Sequence, residues 1–367
     1  MPYQPFEMSS HLVKNGYLVE VEPDGKRKRR HCFLFTDFIA CSKFPKLAEL
    51  TGRQMVVKWF QHLSRVVLKT EPASLVPIAS ALSNTTSLLL SQATELRNRI
   101  VRSPFDQTLR KKLVVIEDKL LMEAADLPLT LVVQTLGGRN YQLRTDTYTF
   151  LLGSELERTM WIAAFQTLQS KVDWRFPPKL QRSVVDYYIK NCRVEPISRW
   201  INSSDSALVP KGELTVKVHS LMGLKTSTDV FVVVEWDTHG HYLHRCRTRS
   251  VDCSVTFWDE QFALQLNGAR GLRVLLYEQD GQYSVAYRGG AELKITEPWL
   301  RSLNHSITYI PLTQPWFSLD LPYNAGELHL CLSFNFTTDL GKYIHFFLYR
   351  RISFDSPPVL LQLTIWV

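Results

Sequence analysis

The sequence has few of the features that mark secreted, membrane-spanning or metal-binding chains. Only 6 of its 367 residues are cysteine, and no two are spaced as Cys-x-x-Cys, which excludes a zinc ribbon and a thioredoxin-like redox motif. The first ten residues contain no apolar signal core, so the thiols are expected to stay reduced in the cytoplasm. The longest uncharged stretch, 72–94, carries two prolines and many hydroxyl side chains, which makes it a poor transmembrane candidate.

The sequence does have an ordinary apolar content and a moderate excess of positive charge. Apolar residues make up 45% of the chain and charged residues 21%, as in most folded proteins. At about 150 residues per domain, the length predicts two or three domains. Lysine and arginine number 43 against 35 acidic residues, giving a net charge of +8. Such an excess is compatible with an anionic partner, such as a membrane surface or a nucleic acid, without requiring one.

Alternating apolar residues predict an antiparallel β-meander near the N-terminus. In the segment 16–22, Tyr17, Val19 and Val21 fall on one face of a strand. Pro23-Asp24-Gly25 then forms a turn signal. Further strands are predicted over 31–36, 38–43, 55–63 and 65–69.

The pattern then changes to a helical one. Leucine and isoleucine recur at sevens and fours over 82–100 and again over 109–120, with Ser103-Pro104 between the two runs. Because proline cannot continue a helix, this predicts a helical hairpin with a coiled-coil-like seam. Two strands around Gly137-Gly138 and an amphipathic helix over 154–170 follow.

This order of elements resembles a pleckstrin-homology (PH) domain, a β-barrel closed by a C-terminal helix. The resemblance rests on Lys14-Asn15-Gly16-Tyr17-Leu18, on the segment 30–37 (RHCFLFTD) and on Trp161. It implies that Trp161 packs over one end of the barrel.

A second β pattern begins at Gly212, after a predicted linker or small helical bridge over 173–210. Eight strands are predicted in the following 125 or so residues, which favours an antiparallel β-sandwich. Trp258-Asp259-Glu260-Gln261-Phe262 and Thr228-Asp229-Val230-Phe231-Val232 resemble signatures of a C2 domain, without the usual proline before the tryptophan. The predicted fold class is therefore mainly β with helical additions: a PH-type barrel with a helical-hairpin insertion, then a C2-type sandwich.

A PH domain with such an insertion, followed directly by a C2 domain, resembles the Bcr/Abr family. The phrases KRRHCFLFTDFIACSK and GELTVKVHSLMGLKTSTDVFVVVEWDTHGHYLHRCRTR are similar to that family's. The resemblance implies a PH domain over 10–172 with its insertion at about 76–124, a linker over 173–210 and a C2 domain over 211–338. The tail 339–367 is unlike the family.

The sharpest local feature is a run of five cations, Lys26, Arg27, Lys28, Arg29 and Arg30. In a PH domain these residues would lie in the loop between strands one and two and, with Lys14, would bind the phosphates of an inositol lipid. Arginine suits this role because it contacts phosphate through two N–H groups at once. A solvated charged turn and a nuclear-import or nucleic-acid signal are the alternatives, and no aromatic residues interleave with the run to support nucleic acid.

The C2-like half offers weaker candidate sites. Arg245, Arg247 and Arg249 predict a secondary basic face for anionic lipid or protein, with a solvated strand as the alternative. Calcium prefers six to eight oxygen ligands. The sequence supplies three weak candidates, Asp229, Glu278 and Asp280, and Lys225 stands where another acid is expected. We therefore predict no metal and no cofactor.

The Bcr/Abr resemblance implies regulation of the Rho-family GTPases Rac, Cdc42 and Rho, through nucleotide exchange and GTPase activation. No segment resembles a Dbl-homology exchange bundle or a Rho GTPase-activating domain, so no catalytic residue is predicted and the chain is not expected to be an enzyme. We expect a cytoplasmic protein, peripheral at membranes, whose partners are phosphoinositide-bearing anionic surfaces and, by resemblance, Rho-family GTPases, but not nucleic acid. The alternative is a non-catalytic adaptor that binds protein partners through the helical hairpin and the C2 domain.

Overall fold

The structure is a computed structural model, and it describes residues 10–43, 55–69, 83–137, 142–171, 180–194, 211–223, 228–280, 284–303, 307–313, 324–337 and 343–347. The chain divides into two compact units. The first carries the elements from Leu12 to Asn191, and the second carries those from Lys211 to Phe347. Both units are built mainly from antiparallel strands, which confirms the predicted fold class.

The first unit is a rolled seven-stranded antiparallel sheet in the order β4-β3-β2-β1-β7-β6-β5, the order expected for a PH-type barrel. Its strands are β1 (Leu12–Val21), β2 (Arg27–Phe35), β3 (Phe38–Lys43), β4 (Val56–His62), β5 (Val66–Lys69), β6 (Leu127–Gly137) and β7 (Gln142–Leu152). Its helices are α1 (Asn84–Arg102), α2 (Gln107–Ala124), α3 (Glu155–Gln169) and α4 (Arg182–Asn191).

Helices α1 and α2 form the predicted hairpin, and the chain leaves α1 just before Ser103-Pro104. Asp106 caps α2 by accepting the backbone N–H groups of Thr108 and Leu109 at 2.8 and 3.1 Å, which satisfies two donors that the helix itself cannot. The buried seam contains Ala93, Leu96, Ile100, Leu109 and Leu113. The part of the predicted insertion before residue 83 lies outside the described residues.

Helix α3 closes the barrel as the sequence predicted. Ser154 caps it through the N–H group of Glu157 at 3.3 Å. Trp161 is 2% exposed, and a Cβ placed on Gly16 of β1 would lie 3.8 Å from its indole. Gly16 thus lies beside the indole, at a distance where a Cβ would make ordinary van der Waals contact.

Helix α4 lies inside the segment predicted as a linker or small helical bridge. Its two buried residues, Val185 and Ile189, are one turn apart and pack against Phe33, Phe35 and Phe38 of the first unit. The described part of this segment is therefore a packed helix that completes a second apolar layer on the barrel.

The second unit is an antiparallel sandwich of the C2 type. One sheet has the order β10-β9-β12-β13, and the other has the order β14-β15-β8-β11 with β16 paired to β15; one residue pair, Gly290 with Thr313, joins them. The strands are β8 (Lys211–Met222), β9 (Asp229–Thr238), β10 (His241–Arg247), β11 (Phe257–Asn267), β12 (Gly271–Asp280), β13 (Ser284–Lys294), β14 (Ile307–Thr313), β15 (Asn324–Thr337) and β16 (Tyr343–Phe347). A short helix, α5 (Glu297–Ser302), precedes β14.

The C2-like motif forms an anchor at the start of β11. Trp258 is 1% exposed and donates its indole N–H to the carbonyl of Arg249 at 3.0 Å. Asp259 has a φ of 53°, where β11 departs from its regular register with β8, and its carboxylate pairs with Lys217 at 2.6 Å. The motif thus fixes a β-bulge that turns one acid out of the strand.

Strand β16 belongs to the tail that the sequence set apart from the family. It pairs with β15, from Tyr343 opposite Thr337 to Phe347 opposite Ser333, and so extends the second sheet by one strand. Within the described residues, no helix is long and apolar enough to cross a membrane.

Candidate anion-binding site

Four of the five cations lie on a strand rather than in the predicted loop. The hairpin turn between β1 and β2 is closed by the N–H of Glu22 bonded to the carbonyl of Lys26 at 2.9 Å, and Gly25 takes the positive φ of 79° that the turn requires. Strand β2 therefore begins at Arg27, opposite Val21, and only Lys26 remains in the turn. The loop placement was wrong because so tight a turn brings the chain directly back into the sheet.

Because side chains alternate along a strand, the run is divided between the two faces of the sheet. Arg27 and Arg29 lie on one face, against helix α2. Arg27 donates to the carbonyls of Met122, Glu123 and Ala125 at 2.7, 3.2 and 3.1 Å. These carbonyls belong to the C-terminal end of α2, where the helix leaves acceptors unsatisfied and carries partial negative charge.

Arg29 adds a second attachment to the same helix. Its guanidinium forms an ion pair with Asp118 at 2.9 Å and lies 5.5 Å from the centre of the Tyr17 ring. Its side chain is only 8% exposed. Arg27 and Arg29 together attach the base of the helical hairpin to β2, so they are committed to the fold.

The other face of β2 carries a cluster of charges of both signs. The buried Arg30 donates to Glu20 at 2.5 Å and to Glu22 at 3.2 Å. Lys58 of β4 approaches Glu20 at 2.7 Å, and Lys28 pairs with Glu22. The hydrogen bond from Lys28 is the main reason that the pKa of the Glu22 carboxyl is lowered.

This cluster leaves little net charge at this end of the barrel. The cations Lys26, Lys28, Arg30 and Lys58 face the acids Glu20, Glu22 and Asp24. The side chains of Lys26 and Lys28 remain 72% and 47% exposed. Arg27, on the opposite face, is exposed as well, but its guanidinium is held by the carbonyls at the end of α2. Within this charge cluster, Lys26 and Lys28 are therefore the residues most open to a ligand.

Lys14 does not join the run. It lies six residues before Glu20 on β1, a separation of about 20 Å along a strand. Its amine pairs with Glu157 of α3 at 3.1 Å and lies 5.5 Å from the centre of the Trp161 ring. With a side chain 13% exposed, Lys14 stabilises the contact between α3 and the barrel.

The partners of the run were missed by sequence reasoning, although some could have been found. Glu20 and Glu22 alternate in the first strand, and the turn signal at Pro23-Asp24-Gly25 places them beside the cations of β2. The contact of Lys58 with this cluster could not be predicted from the sequence, because Lys58 lies at a register shift between β3 and β4. Asp118 was equally hidden, since no local pattern shows which face of α2 meets β2.

His31, next to the run of cations, is another residue of this site that the sequence did not single out. It is 1% exposed, its Nε2 lies 2.9 Å from the side-chain oxygen of Asn15, and its ring stacks edge-on against Tyr17. Burial, with a smaller contribution from the charge of Arg29, lowers its pKa to about 3. The ring is therefore neutral beneath the cations near pH 7.

The secondary basic face is also largely engaged. Arg245 is 4% exposed, and Arg247 lies over the ring of Phe231 at 4.9 Å. Arg249 lies beyond the end of β10, where it donates to the carbonyl of Trp258 at 3.0 Å and approaches Glu260 at 3.6 Å. Of the predicted basic face, Arg245 and Arg247 are thus engaged by the fold and Arg249 is exposed, and its binding to anionic lipid or protein stays a prediction.

The weak calcium candidates do not converge where they are described. Glu278 is opposite Val230 and Asp229 is opposite Gln279 in the pairing of β12 with β9, so the two acids point to opposite faces of the sheet. Glu278 is further committed to an ion pair with Arg288. Lys225 and the side chain of Asp280 lie outside the described residues.

Comparison with known proteins places the chain beside the family that its sequence resembled. No family model matches it. Breakpoint cluster region protein of Homo sapiens is 27% identical over 345 residues, which cover 87% of this chain and 26% of that protein. Active breakpoint cluster region-related protein of Xenopus tropicalis is 30% identical over 285 residues, which cover 73% of this chain and 32% of that protein. The predicted resemblance to the Bcr/Abr family is thus confirmed.

The chain spans about a quarter to a third of the length of the curated relatives it matches. Among solved structures, a C2 domain of plant Extended Synaptotagmin 1 is similar at 19% identity and a TM-score of 0.29, over 35% of this chain and 98% of that one. A TM-score this low adds nothing to the assignment of the fold, which rests on the strand order.

Proposed function

We propose that the chain is the PH–C2 portion of a Bcr/Abr-like regulator of Rho-family GTPases, and that it brings this regulator to anionic membranes without catalysing a reaction itself. The observation that carries the family setting is the match to breakpoint cluster region protein over 87% of the chain. The GTPases Rac, Cdc42 and Rho enter the proposal only through that similarity. The expected location is the cytoplasm, at the periphery of a membrane.

The support for a lipid contact comes from Lys26 and Lys28. Their present partners, Asp24 and Glu22, form exposed or half-exposed ion pairs with them. Exposed pairs of this kind contribute only about 0–1 kcal/mol. A headgroup with several phosphates therefore competes well for these amines, whereas Arg27, Arg29 and Arg30 are held by the fold.

Vesicle co-sedimentation tests this proposal. Vesicles of phosphatidylcholine with a phosphoinositide should bind the chain, and vesicles of phosphatidylcholine alone should not. The double variant K26A/K28A is expected to bind about thirtyfold more weakly, since each basic side chain near an anionic surface contributes about 1 kcal/mol.

The matched control is K119A/K190A, which removes two exposed lysines from helices. Its binding should stay close to that of the unaltered chain. An equal loss of binding in both double variants would show that binding depends on the overall charge of the chain and not on this site. Unchanged binding of K26A/K28A would reject these lysines as the lipid contact.

The non-catalytic part of the proposal has a separate test. A GTPase-activating protein places an arginine against the phosphates, an effect of about 10³–10⁵ in rate. The arginines of β2 are committed to Glu20, Asp118 and the end of α2, so they are not available for that role. The purified chain should match the protein-free control in GTP hydrolysis and nucleotide exchange on Rac and Cdc42. A tenfold stimulation of either reaction, removed by one Arg→Ala change, would contradict the proposal.

A specific observation also favours the alternative, a protein-binding adaptor. A groove of about 460 Å³ runs between α1 and α2, with Leu96, Val115 and Ile116 among its lining residues. An apolar groove between two helices suits a helical segment of a partner. Retention of a partner by the chain but not by a V115D variant would support that role.

A further inference from the structure

The free end of the helical hairpin exposes apolar side chains. All residues from 101 to 108 are exposed. Phe105, in the turn between α1 and α2, is 91% exposed, and Val101 is 61% exposed. The buried seam of the hairpin ends at Ile100 and Leu109, so neither of these side chains contributes to it.

Positive charge is concentrated at the same end. Between residues 99 and 112 there are five cations and one acid: Arg99, Arg102, Arg110, Lys111, Lys112 and Asp106. The acid is already engaged as the cap of α2. At the base of the hairpin, by contrast, Glu117 pairs with Arg97 and Asp118 pairs with Arg29, so charges of both signs cancel.

The hairpin is held at one end and extends from there. Its base is attached to β2 through Arg27 and Arg29. From Asp118 to Asp106 the helix extends for about 18 Å, at about 1.5 Å per residue. The basic, apolar tip is therefore presented at a distance from the attachment point by a paired-helix arm.

We propose that this hairpin tip, defined as residues 99–112, inserts into the interfacial region of an anionic bilayer. Phe105 and Val101 enter the boundary between headgroups and acyl chains, and the surrounding cations bind lipid phosphates. Aromatic side chains favour this boundary, and basic residues are attracted to anionic leaflets. A bilayer suits the tip better than an acidic peptide does, because Phe105 and Val101 lie outside the groove that Arg99, Lys111 and Lys112 line.

This inference rests on the membrane role proposed above, but it names a different contact. The tip residues are separate from Lys26 and Lys28, so the two contacts can be removed independently. Insertion also makes a distinct prediction: binding should depend on an apolar residue, which a purely electrostatic contact of Lys26 and Lys28 does not require.

The experiment measures binding to vesicles of phosphatidylserine and phosphatidylcholine. F105S and the double variant R102E/K111E are each expected to weaken binding about tenfold or more. The controls are L88S, which removes an apolar residue 59% exposed near the start of α1, and K119E, which reverses a charge near the base. Both controls should bind as the unaltered chain does.

A second measurement reports insertion directly. A polarity-sensitive fluorophore attached to Cys in an F105C variant should shift to shorter wavelength and gain intensity with these vesicles. The unaltered chain, treated with the same reagent, gives the background from its own cysteines. Fluorophore at position 88, in L88C, should show no shift.

The outcomes separate this inference from the proposed function. If K26A/K28A loses vesicle binding while F105S and R102E/K111E keep it, the tip inference is overturned and the proposed function stands. If the unaltered chain binds neither phosphatidylserine nor phosphoinositide vesicles, both are overturned. If R102E/K111E instead abolishes binding of an acidic amphipathic peptide and leaves vesicle binding intact, the tip is a protein site and the inference is wrong.

Discussion

The two basic segments of the chain, 26–30 and 245–249, engage their cations in different ways. In the first unit, the cations of β2 are neutralised by acids of neighbouring elements and by the carbonyl end of a helix. In the second unit, the contact of Arg247 is with an aromatic ring, and a third arginine nearby, Arg273, lies 3.5 Å from the centre of the Tyr242 ring. Arg247 and Arg273 thus use the flat, weakly hydrated guanidinium against a ring. The contrast is one of degree, since Arg29 also lies over the Tyr17 ring and Arg249 also approaches Glu260.

The comparison shows why charge in a sequence overstates charge on a surface. In both segments the arginines are engaged by the fold: Arg27 and Arg249 stay exposed but donate to backbone carbonyls, whereas the exposed Lys26 and Lys28 make only ion pairs with exposed or half-exposed acids. Arginine is suited to such positions because it makes several directed hydrogen bonds at once. A lysine in a basic run is therefore a better first candidate for ligand binding than its arginine neighbours.

The largest expected effect is the loss of the buried ion pair in the first segment. Replacing Arg30 with methionine leaves Glu20, whose side chain is 4% exposed, with Lys58 as its remaining cation. Removing one partner of a buried pair costs about 3–5 kcal/mol, and Lys58 keeps the expected loss near the lower figure. The free energy of unfolding of the first unit, measured by chemical denaturation, should fall by about 3 kcal/mol.

The matched variant in the second segment is R249M. The side chain of Arg249 is 60% exposed, and its approach to Glu260 is long, at 3.6 Å. Its loss should cost about 1 kcal/mol or less. Equal destabilisation by R30M and R249M would contradict the difference in burial and charge pairing between the two segments. The double variant E20Q/R30M should recover part of the loss, since it removes the buried charge as well.

Acidification should destabilise both units, through a histidine beside each segment. Burial lowers the pKa of His31 to about 3 and that of His244 to about 4. Since the folded forms resist protonation, the unfolded chain binds more protons below its own histidine pKa of about 6.5. The stability that each neutral histidine contributes is therefore fully present above about pH 6.5. It is lost as the pH falls from there towards the pKa values of the folded state.

Between pH 7.5 and pH 4.5, each histidine should account for about 2 kcal/mol of lost stability. H31N should flatten the pH dependence of the first unit and leave that of the second unchanged, and H244N should do the reverse. The measurement is chemical denaturation at several pH values with a probe in each unit. A pH profile that neither variant alters would assign the acid sensitivity to carboxylates instead.

The sequence predicted the strands and the helical hairpin well because their signals are local. The alternation of Tyr17, Val19 and Val21 and the break at Ser103-Pro104 both depend on residues close together in the chain. Helix α4 was less visible, since its buried stripe consists of only Val185 and Ile189. The apolar surface that holds it, around Phe33 and Phe35, becomes evident only in the folded barrel.

The candidate site was less predictable because it depends on pairing between distant elements. The run of cations was found, but its partners come from β1, β4 and α2. The loop position expected for residues 27–30 came from the PH resemblance, which places such a run between strands one and two. What decided the outcome was the tight turn at Gly25, which fixes the register of β2 against β1.

The smallest expected effect separates directed hydrogen bonding from charge. In R27K the positive charge beside the end of α2 is kept, but the lysine nitrogen lies one bond closer to the backbone than the Nη1 atom that donates to all three carbonyls. We expect the free energy of unfolding to fall by about 1 kcal/mol, mainly in the hairpin, since each hydrogen bond contributes about that much net. Amide hydrogen exchange at residues 119–124 should quicken about fivefold, while exchange in β1 stays unchanged. The counterpart in the second segment, R247K, keeps charge over Phe231 and replaces a stacked guanidinium with an amine, so about 0.5–1 kcal/mol is expected there. If R27K left exchange in the hairpin unchanged, the attachment would depend on charge and on Asp118 alone, and Arg27 would be free to join Lys26 and Lys28 at a membrane.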